Sequence, residues 1–230
     1  MLTIHAAALL LPGGGRAPVP GGAVAVRDAS VAAFGPYEDV SAAHPGARVR
    51  RWPGVLTPGL VQRDAVRLLT QWYFPDPREA DALGTEPLTG AALDALGPEG
   101  TWRAGSVRRG LHRMLRHGTT AVTAAPGTPP ALLTAVRRSG LTVLGPALDP
   151  SAPASAPASA PASALAGNEP RLDPLAGVAA VSDATAAPLT VGGRADLAAF
   201  DAPDEAALLA AGAASCVATI AAGRLAYRGR

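Results

Sequence analysis

The sequence has few or none of several residue types that catalytic and binding sites commonly use. All 20 basic residues are arginine, and Cys216 is the only cysteine, which excludes an intrachain disulfide. Aromatic residues make up 4% of the chain, so the core is expected to consist mainly of Ala, Val and Leu. Charged residues make up 17%, below the roughly one quarter that is usual, so charge-driven disorder is not expected for most of the chain.

Neither a nucleic acid nor a membrane is an expected partner. The net charge is only +2, and the densest basic stretch, "SVRRGLHRMLRH", has helical spacing without an aromatic platform, which favours a solvated helix face. No segment reaches about 18 uninterrupted apolar residues. The first residues, "MLTIHAAALLLPGGG", lack the basic segment of a signal peptide. We therefore expect a cytoplasmic protein.

Both ends of the chain have patterns typical of β structure. "GAVAVRD" and "ASVAAFG" predict a hairpin that turns near Asp28–Ser30, and "SCVATIAAGRLAYRG" predicts a second hairpin that turns at Ala222–Gly223. "PLTVGGRADLAAFD" predicts strand, turn and strand. Cys216 lies in an apolar strand pattern, which favours a buried structural thiol over a nucleophile.

The middle of the chain, residues 58–148, has a helical period interrupted by strands. "WRAGSVRRGLHRMLRHG" predicts an amphipathic helix whose apolar face contains Val107, Leu111, Met114 and Leu115. The strand "TTAVTAA", the helix "PPALLTAVRRSG" and the strand "LTVLGPAL" follow. This alternation is typical of a parallel α/β layer.

Three stretches carry a recognisable combination of motifs. They are "GGAVAVRDASVAAFGPYEDV" followed by "VLTPGLV", then "RRGLHRMLRHGTTAV", then "LTVGGRADLAAFDAPD" followed by "VATIAAGRLAYRG". In this order they resemble the amidohydrolase superfamily, nearest to imidazolonepropionase and related cyclic-amide or aminohydrolases.

The resemblance implies an α/β chain with a composite β-sandwich. Residues 1–57 and 183–230 would form the sandwich domain, and residues 58–148 a partial TIM-like (β/α) barrel remnant. The Ser-Ala-Pro repeat of residues 149–164 predicts an extended linker, since proline at every fourth position forbids helix and central strand. Residues 165–182 would connect back to the sandwich. A complete barrel needs about 200–250 residues, so only two or three β/α units are expected.

The metal-binding motif of the family is replaced in this chain. The resemblance implies that "PGLV" is followed by Asn, one residue and then His-x-His on the first barrel strand, where alternation turns both imidazoles to one side. This chain has Gln62, Arg63 and then Asp64-Ala65-Val66. Asp64 is a candidate oxygen ligand or lone acid or base, or else a solvated residue that begins a helix. Val66 cannot bind a metal, and a chain without lysine cannot form the family's carbamylated bridging lysine.

Four histidines are available as further ligands. His112 and His117 are candidate metal ligands together with Asp64, but they are five residues apart near a helix end and do not share a face. Both also suit a helix C-terminus, where a cation is favoured. His5 lies in an apolar strand pattern and is expected to be a packed core residue.

Three functions remain open. The favoured one is a catalytically degenerate, metal-free protein that acts as a structural or regulatory partner and needs no cofactor. The second is an active hydrolase of non-peptide carbon–nitrogen bonds, acting on a cyclic amide or amidine with zinc or iron. The third is a non-catalytic protein that binds a small molecule. A truncated barrel has open sheet edges, which predicts a homo-oligomer or a partner enzyme that covers them.

Overall fold

The computed structural model describes residues 2–97, 100–145 and 169–229. The predicted linker, residues 149–164, lies outside these ranges.

The largest element of the fold is an eight-stranded sheet with strands from both ends of the chain. The strands are β1 (Leu2–Leu10), β2 (Val19–Pro20), β3 (Gly22–Arg27), β4 (Ser30–Pro36), β5 (Arg48–Pro58), β11 (Leu197–Phe200), β12 (Cys216–Ala221) and β13 (Arg224–Arg228). Their order is β13-β12-β11-β5-β1-β3-β4, with β2 paired to β1. Strand β5 pairs with β1 in parallel and with β11 in antiparallel orientation. It therefore joins the N-terminal strands to the C-terminal ones.

This sheet curls until its two ends face each other. Val24 and Val31 from one end share a core with Ala218 and Ile220 from the other. In the β12–β13 turn, Gly223 lies against the backbone of the β3–β4 turn so closely that a Cβ would collide with it. Helix α1 (Tyr37–Ala43) covers the outer face beside β1 and β3. The predicted composite of both chain ends is therefore confirmed, and so are both predicted hairpins.

A separate parallel sheet is formed by the part of the chain between β5 and β11. Its strands are β6 (Leu60–Gln62), β9 (Thr119–Thr123) and β10 (Thr142–Leu144), in the order β10-β9-β6. Helices α2 (Ala65–Gln71), α5 (Gly100–Leu115) and α6 (Pro130–Arg138) pack on it. Within the described residues the sheet does not close into a barrel, which confirms the predicted partial (β/α) segment.

Helix α5 has the predicted apolar face. Leu111, Met114 and Leu115 are buried and Val107 is half-buried. The chain leaves the helix through Gly118, which has a φ of +73° and lies against Phe200 and Ala198 with no room for a Cβ. The "HGT" sequence therefore allows the close approach of the α5–β9 turn to the large sheet.

Short elements connect α2 to α5. They are β7 (Trp72–Tyr73), a single 3₁₀ turn (Pro77–Glu79), α3 (Ala80–Leu83), β8 (Leu88–Thr89) and α4 (Gly90–Leu96). Near the C-terminus, α7 (Glu205–Ala211) begins at Asp204, whose carboxylate accepts a hydrogen bond from the Ala207 amide at 2.8 Å. Within the described ranges, no helix combines the length and the apolar character that crossing a bilayer requires.

One strand prediction was wrong. The "PLTV" part of "PLTVGGRADLAAFD" is irregular, and only the second predicted strand forms, as β11. The Leu189 amide donates to the Pro12 carbonyl (2.9 Å) and the Gly192 amide to the Val31 carbonyl (2.8 Å). These backbone hydrogen bonds go to two separate parts of the chain, so no ladder forms.

Candidate functional site

The carboxyl end of the small parallel sheet is the edge at which α/β folds place their sites. Here β6 ends at Gln62, the chain turns at Arg63 and Asp64, and α2 begins at Ala65. The Thr123 hydroxyl, at the end of β9, donates to the Arg63 carbonyl at 3.0 Å. Asp64 and Val66 therefore lie in a turn and on a helix, where strand alternation cannot direct their side chains to a common point.

A stretch of chain that we call the crossing segment, residues 169–184, covers this edge. Gln62 is only 2% exposed, and its Nε2 donates to the carbonyl oxygens of Arg171 (3.1 Å) and Leu172 (2.9 Å). Its Oε1 accepts a hydrogen bond from the Asp64 amide at 2.9 Å. The amide side chain is thus satisfied by backbone groups on both sides of it.

Both carboxylate oxygens of Asp64 also have partners. Oδ1 accepts from Arg67 Nη1 at 3.2 Å, and Oδ2 accepts from the Arg171 backbone amide at 3.1 Å. The Asp64 carbonyl accepts the first α-helical hydrogen bond of α2, from the Leu68 amide at 2.8 Å. The carboxylate therefore lies at the start of α2, where the helix dipole favours negative charge. Its hydrogen bond with the Arg171 amide holds the crossing segment against this end of α2.

The crossing segment is held along its length. Leu175 and Val181 are buried with Phe200 in the core beside the large sheet, and burial of each such side chain contributes about 1.5–3 kcal/mol. The Asp173 carboxylate accepts from the amides of Leu175 (2.8 Å) and Ala213 (3.1 Å). The segment is therefore a packed part of the fold.

The sequence predicts residues 165–182 only as a connection, and it indicates neither the packing of the crossing segment nor the part that Gln62 plays in holding it. The dipeptide Asp173-Pro174 is typical of a turn in which the carboxylate accepts a nearby amide, and it was the one local signal available. The contact of Gln62 with Arg171 joins residues 109 positions apart, which no local pattern reveals.

The two histidine candidates lie at the opposite end of the parallel sheet from Asp64. His117 is separated from β9 only by Gly118, and its Nδ1 is 2.8 Å from the Arg113 carbonyl oxygen. His112 is exposed on α5 and contacts Tyr227 edge to face, with ring centroids 6.4 Å apart. The fold does not bring these three candidates together. Among residues 2–97, 100–145 and 169–229, no three His, Cys, Asp or Glu side chains are placed to hold a metal ion.

Two other titratable groups are buried away from this edge. His5 is 3% exposed, lies with its ring nearly parallel to that of Trp52 and accepts a hydrogen bond from the indole N–H at Nδ1 (3.1 Å). Desolvation, aided by the nearby Arg50 charge, lowers the pKa of His5 to about 4, so the ring is neutral at pH 7. Cys216 is buried, as predicted, and burial raises the pKa of its thiol to about 11, so the thiol is protonated at pH 7.

Comparison with known proteins supports the predicted resemblance. Residues 22–47, which contain β3, β4 and α1, match the family model of the imidazolonepropionase-like composite domain of bacteria. No curated protein matches the chain.

Similar solved structures include an ochratoxinase and two guanine deaminases. Ochratoxinase from A. niger is 21% identical with a TM-score of 0.43, over 63% of this chain and 31% of that one. Guanine deaminase from Bradyrhizobium japonicum is 19% identical with a TM-score of 0.41, over 63% and 34%. E. coli guanine deaminase is 15% identical with a TM-score of 0.43, over 63% and 35%. The chain thus spans about a third of the length of these structures.

Proposed function

We propose that this protein is a catalytically degenerate, amidohydrolase-like protein that acts as a structural or regulatory partner. The observation that carries the proposal is the pairing of Gln62 and Asp64 with the backbone of Arg171 and Leu172. At the edge where a substrate and a metal would meet, these polar atoms already have partners within the chain. A reaction there would require the crossing segment to leave.

The donor set at this edge does not fit a catalytic metal. A catalytic zinc needs about three protein ligands and an open position for water. Asp64 offers a carboxylate whose two oxygens both accept hydrogen bonds, and Val66 offers no donor atom. His112 and His117 lie near the other end of the sheet. We therefore expect no metal-dependent step at this edge.

The partner role is supported by the open edge of the small sheet. Within the described residues, β10 pairs only with β9, so one side of Thr142–Leu144 has no strand beside it. Backbone groups on such an edge are available for pairing with another chain. A partner enzyme or a second copy that supplies a strand would satisfy them.

Turnover assays test the loss of catalysis. The purified chain, supplied with zinc or iron(II), is incubated with cyclic amides, amidines and imidazolones, and substrate loss is followed. No turnover above the protein-free rate is expected from the natural chain or from Asp64→Asn. Turnover that Asp64→Asn abolishes and that the exposed control Asp81→Asn retains would overturn the proposal. Thermal stabilisation by one of these compounds without turnover would replace the partner role by a binding role.

A further inference from the structure

A groove of about 910 Å³ runs between α5 and α6 on the outside of the helix layer. Its apolar floor contains Leu69, Leu111, Leu115 and Leu132, and its described lining includes no acidic side chain. Apolar grooves of this size on an outer surface are typical of places where another molecule packs.

The rim of this groove is cationic. Arg108 and Arg138 are exposed, and neither forms an ion pair with a carboxylate of the described chain. Arg103 donates from Nη2 to the Thr70 carbonyl, but its Nη1 is buried without a hydrogen-bond partner in the described structure. The exposed charges of Arg108 and Arg138 therefore favour an acidic partner in this groove.

A complementary surface lies on the other side of α5. We call residues 79–97 the acidic excursion, because they contain four carboxylates and no basic residue. Asp81, Glu86 and Asp94 are exposed and have no ion-pair partner among the described residues. Helices α3 and α4 bury no residue, although short helices depend on packing for their stability.

We propose that a second copy of this chain fills the groove with its acidic excursion. Helix α5 separates the two surfaces, because Val107 and Leu111 line the groove while Ser106 and Arg109 contact the β7 side. A twofold axis beside α5 would therefore place each excursion in the other protomer's groove and close the assembly as a dimer.

The dimensions and one exposed aromatic agree with this pairing. Helix α4 has seven residues and α6 has nine, which correspond to lengths of about 10 Å and about 13 Å. Trp102 is 53% exposed, and the helical period places it on the Ser106 side of α5, next to the excursion. In the dimer it would be covered, as central interface tryptophans usually are.

Charge reversal tests the pairing, with molar mass measured by sedimentation equilibrium over micromolar concentrations. The natural chain is expected at twice its 22.9 kDa chain mass. The groove variant Arg108→Glu/Arg138→Glu and the excursion variant Asp81→Arg/Asp94→Arg are each expected to be monomeric. The matched control Arg137→Glu, on the same helix outside the groove, is expected to remain a dimer.

Mixing the two monomeric variants supplies the decisive result. Each reversed groove then meets an excursion of opposite charge, so a heterodimer is expected, and its recovery shows that both variants fold. A natural chain that stays monomeric would overturn the proposal, as would reversed variants that remain dimeric. If only the groove variant dissociates, a surface other than the excursion fills the groove and the proposal is wrong. The readout is mass and not turnover, so it is independent of the proposed loss of catalysis.

Discussion

Replacing Gln62 by Met should loosen the crossing segment while keeping the volume of the side chain. The substitution removes three hydrogen bonds, to the carbonyls of Arg171 and Leu172 and from the Asp64 amide. Each net contribution is about 1 kcal/mol and Gln62 itself is buried, so we expect a loss of about 3 kcal/mol in the free energy of unfolding.

Urea unfolding and amide hydrogen exchange measure this effect. We expect a lower urea midpoint and faster exchange across residues 169–184, starting at the Arg171 amide that donates to Asp64. The control is Gln71→Met at the exposed end of α2, where a surface change should stay within about 0.5 kcal/mol. A Gln62→Met chain as stable as this control, with unchanged exchange, would refute the structural role given to Gln62.

Three further predictions concern residues away from this edge. The pKa of His5 is about 4 in the folded chain and 6.5 in the unfolded chain, so His5 does not change the free energy of unfolding above pH 6.5 and lowers it as the pH falls towards 4. The loss of stability should reach about 3 kcal/mol. Urea midpoints of His5→Phe should not show this pH-dependent loss. Gly59→Ala should destabilise by about 1–3 kcal/mol in thermal unfolding, because the new Cβ would collide with the Thr120 side chain, whereas Gly46→Ala, which meets no atom, should not. Cys216 should react with iodoacetamide only after denaturant is added, and rapid labelling of the native chain would contradict its buried position.

The parts of the fold that were predicted correctly have local causes. Helix α5 followed from the spacing of Leu111, Met114 and Leu115, and both hairpins from short turns between alternating strands. The failed strand at "PLTV" shows the limit of this reasoning. An apolar run before glycines has strand character, but a strand needs a neighbour, and this run has separate contacts with Pro12 and Val31.

The candidate site could be predicted only in part. The replacement of His-x-His by Asp64-Ala65-Val66 was visible in the sequence, and so was the possibility that Asp64 begins a helix. The backbone of Arg171 and Leu172 could not be placed against Gln62, since backbone groups carry no sequence signal. The groove between α5 and α6 could not be predicted either. The spacing of apolar residues indicates which face of each helix is buried, but it does not indicate a gap between two helices.

The central claim is that Gln62 and Asp64 form hydrogen bonds with the crossing segment and do not form a catalytic metal site. Metal content tests this claim most directly. The chain is equilibrated with zinc or iron(II), separated from unbound metal and analysed for its elements. The account predicts substoichiometric metal, equal in the natural chain and in Asp64→Asn. One metal ion per chain, lost in Asp64→Asn and retained in Asp81→Asn, would contradict it.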